Sequence, residues 1–140
     1  MLEMVKKKVL IVDDDFKSAK LMRMLIGNSD MIETVSDGME GLSRIKKKRF
    51  DLIISDVHMP GMSGIEMYME AKKSDPEIND RLLFFSATCN PEVINFFKKE
   101  NLVYISKPSP VTKIRGTVRE IINKDRSAKS ISPTSEEELT

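Results

Sequence analysis

Acidic, hydroxyl and basic side chains stand at or within two residues of the ends of short apolar runs of this sequence. Asp13 and Asp14 follow the first such run, Asp56 a later one, Ser86 the next and Lys107 the last. Three carboxylates brought together resist ionisation unless a cation joins them. A ligand set made only of oxygen favours Mg²⁺ or a similar hard ion. These residues therefore predict a divalent-metal site beside a lysine.

Asp56 is the candidate nucleophile. A carboxylate can take a phosphoryl group covalently and so divide one transfer into two steps. The metal and Lys107 would neutralise the charge on the equatorial oxygens of the transferring group. Ser86 could donate its hydroxyl to a phosphoryl oxygen, although a hydrogen-bonded serine that merely ends a strand is the simpler interpretation.

The run Asp13-Asp14-Asp15 also has a structural interpretation. Acidic residues are favourable at the N-terminal end of a helix, and a helical pattern starts at Phe16. We assign that capping role to Asp15. Asp13 and Asp14 are assigned to the metal instead, because Asp56 should converge with them on one edge of the fold.

The apolar runs themselves predict a sheet. Four of them are continuous rather than alternating, namely 9–12, 52–54, 82–85 and 102–105. Continuous hydrophobicity indicates strands covered on both faces, as in a parallel sheet. The segment 31–35 is more polar, and we interpret it as an edge strand.

Helical patterns lie between these runs and have recognisable starts. The expected capping residues or pairs are Asp37, Ser63 with Glu66, Asn90 before Pro91, and Ser109 before Pro110. A Ser followed three residues later by Glu can form a capping box, and proline suits the first helical position. The last helix carries an apolar stripe at Val111, Ile114, Val118, Ile121 and Ile122.

Five alternating strand–helix units predict an α/β fold, a flavodoxin-like doubly wound sheet. We expect five parallel strands in the order 2-1-3-4-5, with helices on both faces. Ligands of such sheets bind at the carboxyl ends of the strands, where the polar residues stand. We expect one domain over 6–124 and a disordered tail or linker over 125–140, where Ser, Thr, Pro and Glu predominate.

The composition excludes several classes of protein. The 140 residues carry a formal charge of +1, so no charge excess indicates nucleic acid or an anionic membrane. Cys89 is the single cysteine, which precludes an internal disulfide and suits a reducing compartment. We interpret it as an inert, partly buried thiol. No apolar run is long enough to span a membrane, and we expect a cytoplasmic protein.

The ordered motifs resemble the receiver domain of two-component response regulators. They are Ile11-Val12-Asp13-Asp14, the segment Asp51 to Gly64 that contains Ser55-Asp56-Val57-His58-Met59-Pro60-Gly61, then Ser86-Ala87, and finally Lys107-Pro108. The resemblance runs from about residue 7 to residue 123. Two positions depart from the commonest pattern: Ser86 stands where threonine is more frequent, and Ser109 stands where phenylalanine is usual.

The resemblance implies roles for the site residues. Asp56 would be the phosphoacceptor, supplied by a phosphohistidine on a partner histidine kinase or histidine phosphotransfer protein. Asp14, Asp56 and the backbone carbonyl of His58 would ligate Mg²⁺ directly, and Asp13 would act largely through water. Lys107 would contact the phosphoryl group. His58 is the only histidine, and we expect its side chain at the mouth of the site.

The resemblance also implies a switch. Ser86 and Tyr104 would be its two members, and the fourth helix, fifth strand and fifth helix would form the surface that controls an output. The Lys107–Pro108 bond would be cis. We expect a signalling phosphoacceptor that assists its own Mg²⁺-dependent phosphorylation and dephosphorylation rather than an enzyme. We expect no direct contact with nucleic acid or membrane, and a monomer able to dimerise through the switch surface on phosphorylation.

Three alternatives remain open at this point. A haloacid-dehalogenase-type phosphatase would use Asp13 and Asp15, but it would leave Asp56 unexplained. A flavodoxin would need a phosphate-binding loop where the acids stand. A pseudo-receiver would act only as an interaction module without phosphorylation. The chain is expected either to act alone or to be one domain of a larger protein such as a hybrid histidine kinase.

Overall fold

The computed structural model describes residues 7–27, 31–88 and 90–130, the last six of these by their backbone alone. Its five strands are β1 (Val9–Val12), β2 (Ile32–Val35), β3 (Leu52–Ser55), β4 (Leu82–Ser86) and β5 (Val103–Ser106). They form one sheet in the order β2-β1-β3-β4-β5, and all neighbouring pairs are parallel. The predicted fold class and strand order are confirmed.

Five α-helices alternate with the strands. They are α1 (Phe16–Ile26), α2 (Gly38–Lys47), α3 (Gly64–Lys72), α4 (Pro91–Lys99) and α5 (Val111–Ser130), and a 3₁₀ turn covers Ile78–Arg81. The predicted caps at Asp37, Ser63 and Asn90 are confirmed by their side-chain hydrogen bonds to the helix N-termini. Ser63 and Glu66 form the expected reciprocal capping box.

The predicted start of α5 is wrong by one residue. The Ser109 hydroxyl donates to the Ser106 carbonyl at 2.6 Å instead of accepting from the helix. The Pro110 carbonyl accepts the first helical bonds, from the N–H groups of Lys113 and Ile114. Pro110 therefore occupies the cap position, because the Ser109 hydroxyl is hydrogen-bonded to the Ser106 carbonyl at the end of β5.

The predicted domain boundary at 124 lies within helix α5. Helix α5 continues to Ser130. Residues 125–130 contain neither proline nor glycine, so no residue of that stretch breaks the helix. The rest of the predicted tail (131–140), residue 6 and Cys89 lie outside the described residues.

The sheet separates two apolar layers. Val9 and Ile11 of β1 pack with α1 and α5, whereas Leu10 and Val12 pack with α2, α3 and α4. This division follows from the alternation of side chains along a strand. No helix in the described ranges is both long and apolar enough to cross a membrane.

The two outer strands are less covered than the three central ones. Every residue of β1, β3 and β4 is buried. The predicted edge strand is confirmed as the outer strand β2. The prediction that the last strand is covered on both faces is wrong, since β5 is the other edge and Val103 is 37% exposed.

Candidate functional site

The sheet's hydrogen-bond ladder holds the site residues in position. The Asp56 N–H donates to the Val12 carbonyl at 2.9 Å, and the Lys107 N–H donates to the Ser86 carbonyl at 2.9 Å. The ladder therefore continues one residue past the strands and fixes the backbone positions of Asp56 and Lys107 relative to their neighbouring strands. Asp13 follows Val12 directly and lies at the same edge.

Two glycines allow the loop after β3 to fold against Asp56. Gly61 has a φ of 74°, a left-handed conformation that side chains other than glycine disfavour. A Cβ at Gly64 would collide with the Asp56 carbonyl oxygen. The N–H of Gly64 donates to the Val57 carbonyl at 2.9 Å. The spacing of glycines after Asp56 therefore has a packing reason in addition to the resemblance.

Three predicted carboxylates converge at this edge. One oxygen from each of Asp13, Asp14 and Asp56 lies within 4.8 Å of the others. Asp13 and Asp56 are buried, whereas Asp14 is exposed. Oxygen donors at this spacing, partly open to solvent, suit a hard divalent cation that keeps some of its water.

Lys107 reaches into the same cluster. Its Nζ lies 3.0 Å from Asp13 Oδ2 and 3.2 Å from Asp56 Oδ2, and 5.4 Å from the centre of the Phe85 ring. Burial lowers the pKa of Lys107, but the hydrogen bonds and charges of Asp13 and Asp56 outweigh it and raise the pKa above 10.5. Lys107 is therefore a permanent positive charge at the site.

Ionisation of the Asp13 carboxyl is unfavourable in the folded chain. Burial raises the pKa of its carboxyl above 3.8, and the Asp15 N–H and Lys107 only partly oppose this effect. The nearby charge of Asp56 raises the pKa further. One ammonium thus incompletely compensates the carboxylates, and a second cation would lower the cost of their ionisation.

Ser86 has an unused hydroxyl. Its Oγ is buried and has no hydrogen-bond partner within the part of the chain that the structure describes. The residue lines an open cleft of about 730 Å³ together with Asp56, His58, Thr88 and Asn90. A buried polar group without a partner costs about 1–3 kcal/mol. An acceptor bound in this cleft would remove that cost.

Asp15 is a helix cap, as predicted. Its carboxylate accepts from the Lys17 N–H at 3.1 Å and from the Ser18 hydroxyl at 2.9 Å. These bonds, led by the Ser18 bond, lower the pKa of Asp15. His58 is exposed and lines the mouth of the cleft, where it was expected.

Tyr104 is half-buried in β5. Its ring packs on Phe97 of α4 with the centroids 5.0 Å apart, and Phe97 stacks on Phe84 at 4.9 Å. The Lys107–Pro108 peptide is cis, as the resemblance implied.

Sequence reasoning missed Thr88 and Asn90 as residues that line the cleft. Asn90 had been recognised only as the cap of α4, and Thr88 accepts from its backbone N–H at 3.3 Å. Their place directly after β4 could have identified them, because chain that leaves the carboxyl end of a strand enters the site edge.

A family comparison decides what kind of domain this is. The family described as "Response regulator receiver domain" matches residues 9–119. The chain belongs to this family. Membership decides against the phosphatase and flavodoxin alternatives, and it makes the chain a receiver domain of the two-component type.

Curated relatives of this receiver differ in total length. The chain is 29% identical to sporulation initiation phosphotransferase F of Bacillus subtilis over 122 residues, which is 85% of this chain and 96% of the relative. It is 28% identical to transcriptional regulatory protein ZraR of Klebsiella oxytoca over 123 residues (87% of this chain), and 30% identical to transcriptional regulatory protein BtsR of Escherichia coli over 128 residues (89%). The receiver spans only 28% and 52% of those two regulators.

Solved structures agree with the fold. The chemotaxis protein CheY4 of Vibrio cholerae is 28% identical with a TM-score of 0.70, covering 82% of this chain and 98% of that one. A CheY-like receiver of Methanospirillum hungatei is 25% identical with a TM-score of 0.74, covering 87% and 98%.

Proposed function

We propose that Asp56 accepts a phosphoryl group from the phosphohistidine of a partner histidine kinase or histidine phosphotransfer protein. The observation that carries this proposal is the setting of the Asp56 carboxylate. It lies buried beside an open cleft, with the Lys107 ammonium 3.2 Å from one oxygen and the Asp13 and Asp14 carboxylates next to it. The chain would thus be a phosphorylation switch in two-component signalling.

The two oxygens of Asp56 are held differently. Oδ1 accepts from the Val57 N–H at 2.7 Å, and Oδ2 accepts from Lys107. A carboxylate oxygen would attack phosphorus as the bond from phosphorus to the imidazole nitrogen breaks. The electron pair of that bond would remain on the imidazole nitrogen. Lys107 would then contact an oxygen of the transferred group as a compact positive charge.

The donor set fits Mg²⁺. Asp14, Asp56 and the His58 backbone carbonyl would hold the ion directly, and Asp13 would act through water. When bound, Mg²⁺ would neutralise part of the negative charge of the carboxylates and of the phosphoryl oxygens. The raised pKa of Asp13 supports this assignment, because burial and the neighbouring Asp56 leave it short of positive charge.

Ser86 and Tyr104 would convert phosphorylation into a change of surface. The Ser86 hydroxyl lacks a partner among the described residues, so a phosphoryl oxygen would give it one only in the phosphorylated state. A ligand shifts an equilibrium by its differential affinity for two states, and this hydrogen bond is such a difference. Movement of Ser86 would open space for Tyr104, which now packs on Phe97 of α4.

The readout would be the α4-β5-α5 surface. Val103 of β5 and Val111 of α5 are apolar and exposed there, at 37% and 40%. An output partner, or a second phosphorylated copy, would bind this surface. We propose that the chain does not turn over a substrate as an enzyme but assists its own Mg²⁺-dependent phosphorylation and dephosphorylation.

Incubation with acetyl phosphate and Mg²⁺, followed by intact mass spectrometry, tests the proposal. We expect one phosphoryl adduct, its loss when Mg²⁺ is chelated, and its absence in Asp56→Asn. Glu70→Gln on the exposed part of α3 is the control and should be modified like the unaltered chain. No adduct, which a pseudo-receiver would give, or an adduct that survives Asp56→Asn would contradict the assignment.

A further inference from the structure

A second cleft opens at the opposite edge of the sheet, where the strands begin. Its volume is about 800 Å³. It lies between the last turn of α4, the start of β5, the 3₁₀ turn and α5. Its charged lining residues are Lys72, Lys98, Lys99, Lys124, Asp80 and Glu100. Four lysines against two carboxylates leave the cleft with two excess positive charges.

The two carboxylates already have partners. Lys72 Nζ lies 3.1 Å from Glu100 Oε1, and Lys124 Nζ lies 3.4 Å from Asp80 Oδ1. Two lysines of the cleft therefore have their charge compensated within the fold. The excess positive charge belongs to the other two.

Lys98 and Lys99 carry this excess. Both are exposed, and neither forms an ion pair within the described ranges of the chain. Lysines in the last turn of a helix complement its dipole, which gives a structural reason for their presence. An interaction with the helix dipole leaves both ammonium groups able to pair with an anion. Lys46 and Lys47 are likewise two lysines in the last turn of a helix, α2. The α2 pair therefore serves as an internal control.

A segment of matching charge lies close in sequence. Residues 131–140 read Ile-Ser-Pro-Thr-Ser-Glu-Glu-Glu-Leu-Thr and contain three glutamates but no lysine or arginine. We propose that Glu136, Glu137 and Glu138 bind the lysine cleft in the same chain. The interaction surface is the cleft around Lys98 and Lys99, and its partner is this acidic segment.

The length of the chain permits this contact. Helix α5 ends at Ser130, and Lys124 in the cleft precedes that end by six residues, or about 9 Å of helix. The five residues 131–135 can span about 16 Å when extended. Glu136 can therefore return past the level of Lys124, which lines the same cleft as Lys98 and Lys99.

The energetics favour a partner within the same chain. Exposed ion pairs are individually weak, so a separate peptide of three glutamates would bind poorly. A short connection raises the effective concentration of the segment and compensates for weak contacts. The bound segment would cover the end of α4 and the start of β5, which is one end of the proposed output surface. The inference does not depend on phosphorylation.

A spin label tests where the segment lies. The full chain would carry Cys89→Ser and Thr140→Cys with a nitroxide on the new cysteine, and paramagnetic broadening of backbone amides would be recorded by NMR. We expect the strongest broadening outside the segment and the end of α5 at residues 98–103. We expect most of it to disappear between about 0.1 M and about 1 M salt, because the Debye length falls from about 10 Å to about 3 Å.

Charge reversal gives the matched control. Lys98→Glu with Lys99→Glu should reduce the broadening at 98–103 several-fold, and Lys46→Glu with Lys47→Glu should leave it unchanged. Adding Glu136→Lys, Glu137→Lys and Glu138→Lys to the first variant should restore it. Equal broadening in both lysine variants, or none at 98–103 in the unaltered background, would overturn the proposal. Both outcomes are read without phosphorylation, so they leave the Asp56 assignment untouched.

Discussion

The two edges of the sheet handle buried polar groups in opposite ways. At the carboxyl edge, the ammonium of Lys107 pairs with two carboxylates of the three-carboxylate cluster, Asp13 and Asp56, and the Ser86 hydroxyl has no partner among the described residues. At the amino edge, buried polar side chains have their hydrogen bonds completed within the fold. The same scaffold therefore leaves buried polar groups unsatisfied at one edge and satisfies them at the other, where the charges of Lys98 and Lys99, uncompensated within the described part of the chain, are exposed.

Two buried side chains at the amino edge, Arg81 and Tyr68, have hydrogen-bond partners. Arg81 is 3% exposed, donates to the Phe50 carbonyl at 2.8 Å, and pairs with Asp75. The Tyr68 hydroxyl donates to Glu100 Oε1 at 2.7 Å and accepts from a lysine. These bonds tie the helix layer to the strand ends.

The difference in the buried groups identifies the carboxyl edge as the candidate functional site. Folded proteins usually satisfy buried polar groups, and departures from that rule concentrate at functional sites. At the carboxyl edge, the carboxylate cluster and the Ser86 hydroxyl can interact with a bound ion or ligand. Four substitutions test this contrast, two at each edge.

The largest effect is expected from Arg81→Met at the amino edge. The change strands the Asp75 carboxylate and a buried carbonyl, so we expect the free energy of unfolding to fall by about 3 kcal/mol. Urea denaturation measures it. Arg23→Met is the control, because Arg23 is exposed and makes one side-chain hydrogen bond, to Thr34, within the described residues, and it should change stability by less than about 0.5 kcal/mol. Equal effects of the two variants would refute the contrast.

Tyr68→Phe should have the next largest effect. It removes a hydroxyl that joins Glu100 and Lys72, and we expect a loss of about 1.5 kcal/mol. Tyr104→Phe is the matched control, since the Tyr104 hydroxyl makes no hydrogen bond to any described residue. Thermal denaturation of both variants compares them. A larger loss from Tyr104→Phe would show that the network at Tyr68 contributes little.

Asp13→Asn should stabilise the metal-free chain, by on the order of 1 kcal/mol, whereas Asp75→Asn should destabilise it. Burial raises the pKa of Asp13 above its ordinary value of 3.8, so its ionisation costs more in the folded chain than in the unfolded one. That cost is absent at pH well below 3.8, grows as the pH rises from 3.8 to the higher folded-state pKa, and is constant above it.

Denaturation midpoints measured from about pH 3 to about pH 8 test the Asp13 prediction, because this range begins below the ordinary aspartate pKa of about 4 and extends well above it. The gain from Asp13→Asn should increase with pH and shrink when Mg²⁺ is added, because the ion stabilises the unaltered chain by mass action. A gain that is largest at the acid end would contradict the sign of this argument.

Ser86→Ala should have the smallest effect on stability. It removes a hydroxyl without a partner, so we expect a change of less than about 0.5 kcal/mol in either direction. Ser55→Ala is the control: Ser55 also ends a central strand, but its hydroxyl donates to the Asp56 carbonyl at 2.7 Å, and its loss should cost about 1 kcal/mol. Phosphorylation should stabilise Ser86→Ala less than the unaltered chain, as thermal shift would show.

Local patterns predicted much of the fold. The five strands, their order, and the caps at Asp15, Asp37, Ser63 and Asn90 depend on short stretches of sequence, and the structure agrees with them. The wrong predictions concern features that depend on distant neighbours. Coverage of Val103 depends on what packs outside β5, and the role of Ser109 depends on the Ser106 carbonyl.

The residues of the carboxyl edge could be named from their positions after apolar runs, because parallel strands bring their carboxyl ends together. The amino edge could not be predicted in this way. Nothing near Arg81 in sequence indicates that it reaches the Phe50 carbonyl, and Tyr68 and Glu100 are 32 residues apart.

The amino-acid sequence alone determined the fold class, the acidic and lysine residues of the site, and membership of the receiver type, because these follow from periodicity and from motifs of adjacent residues. Only the tertiary structure decided which charges are compensated. Lys107 lies 94 residues from Asp13, yet its ammonium is 3.0 Å from that carboxylate. Compensation is a matter of distances in space, and those distances exist only once the chain has packed.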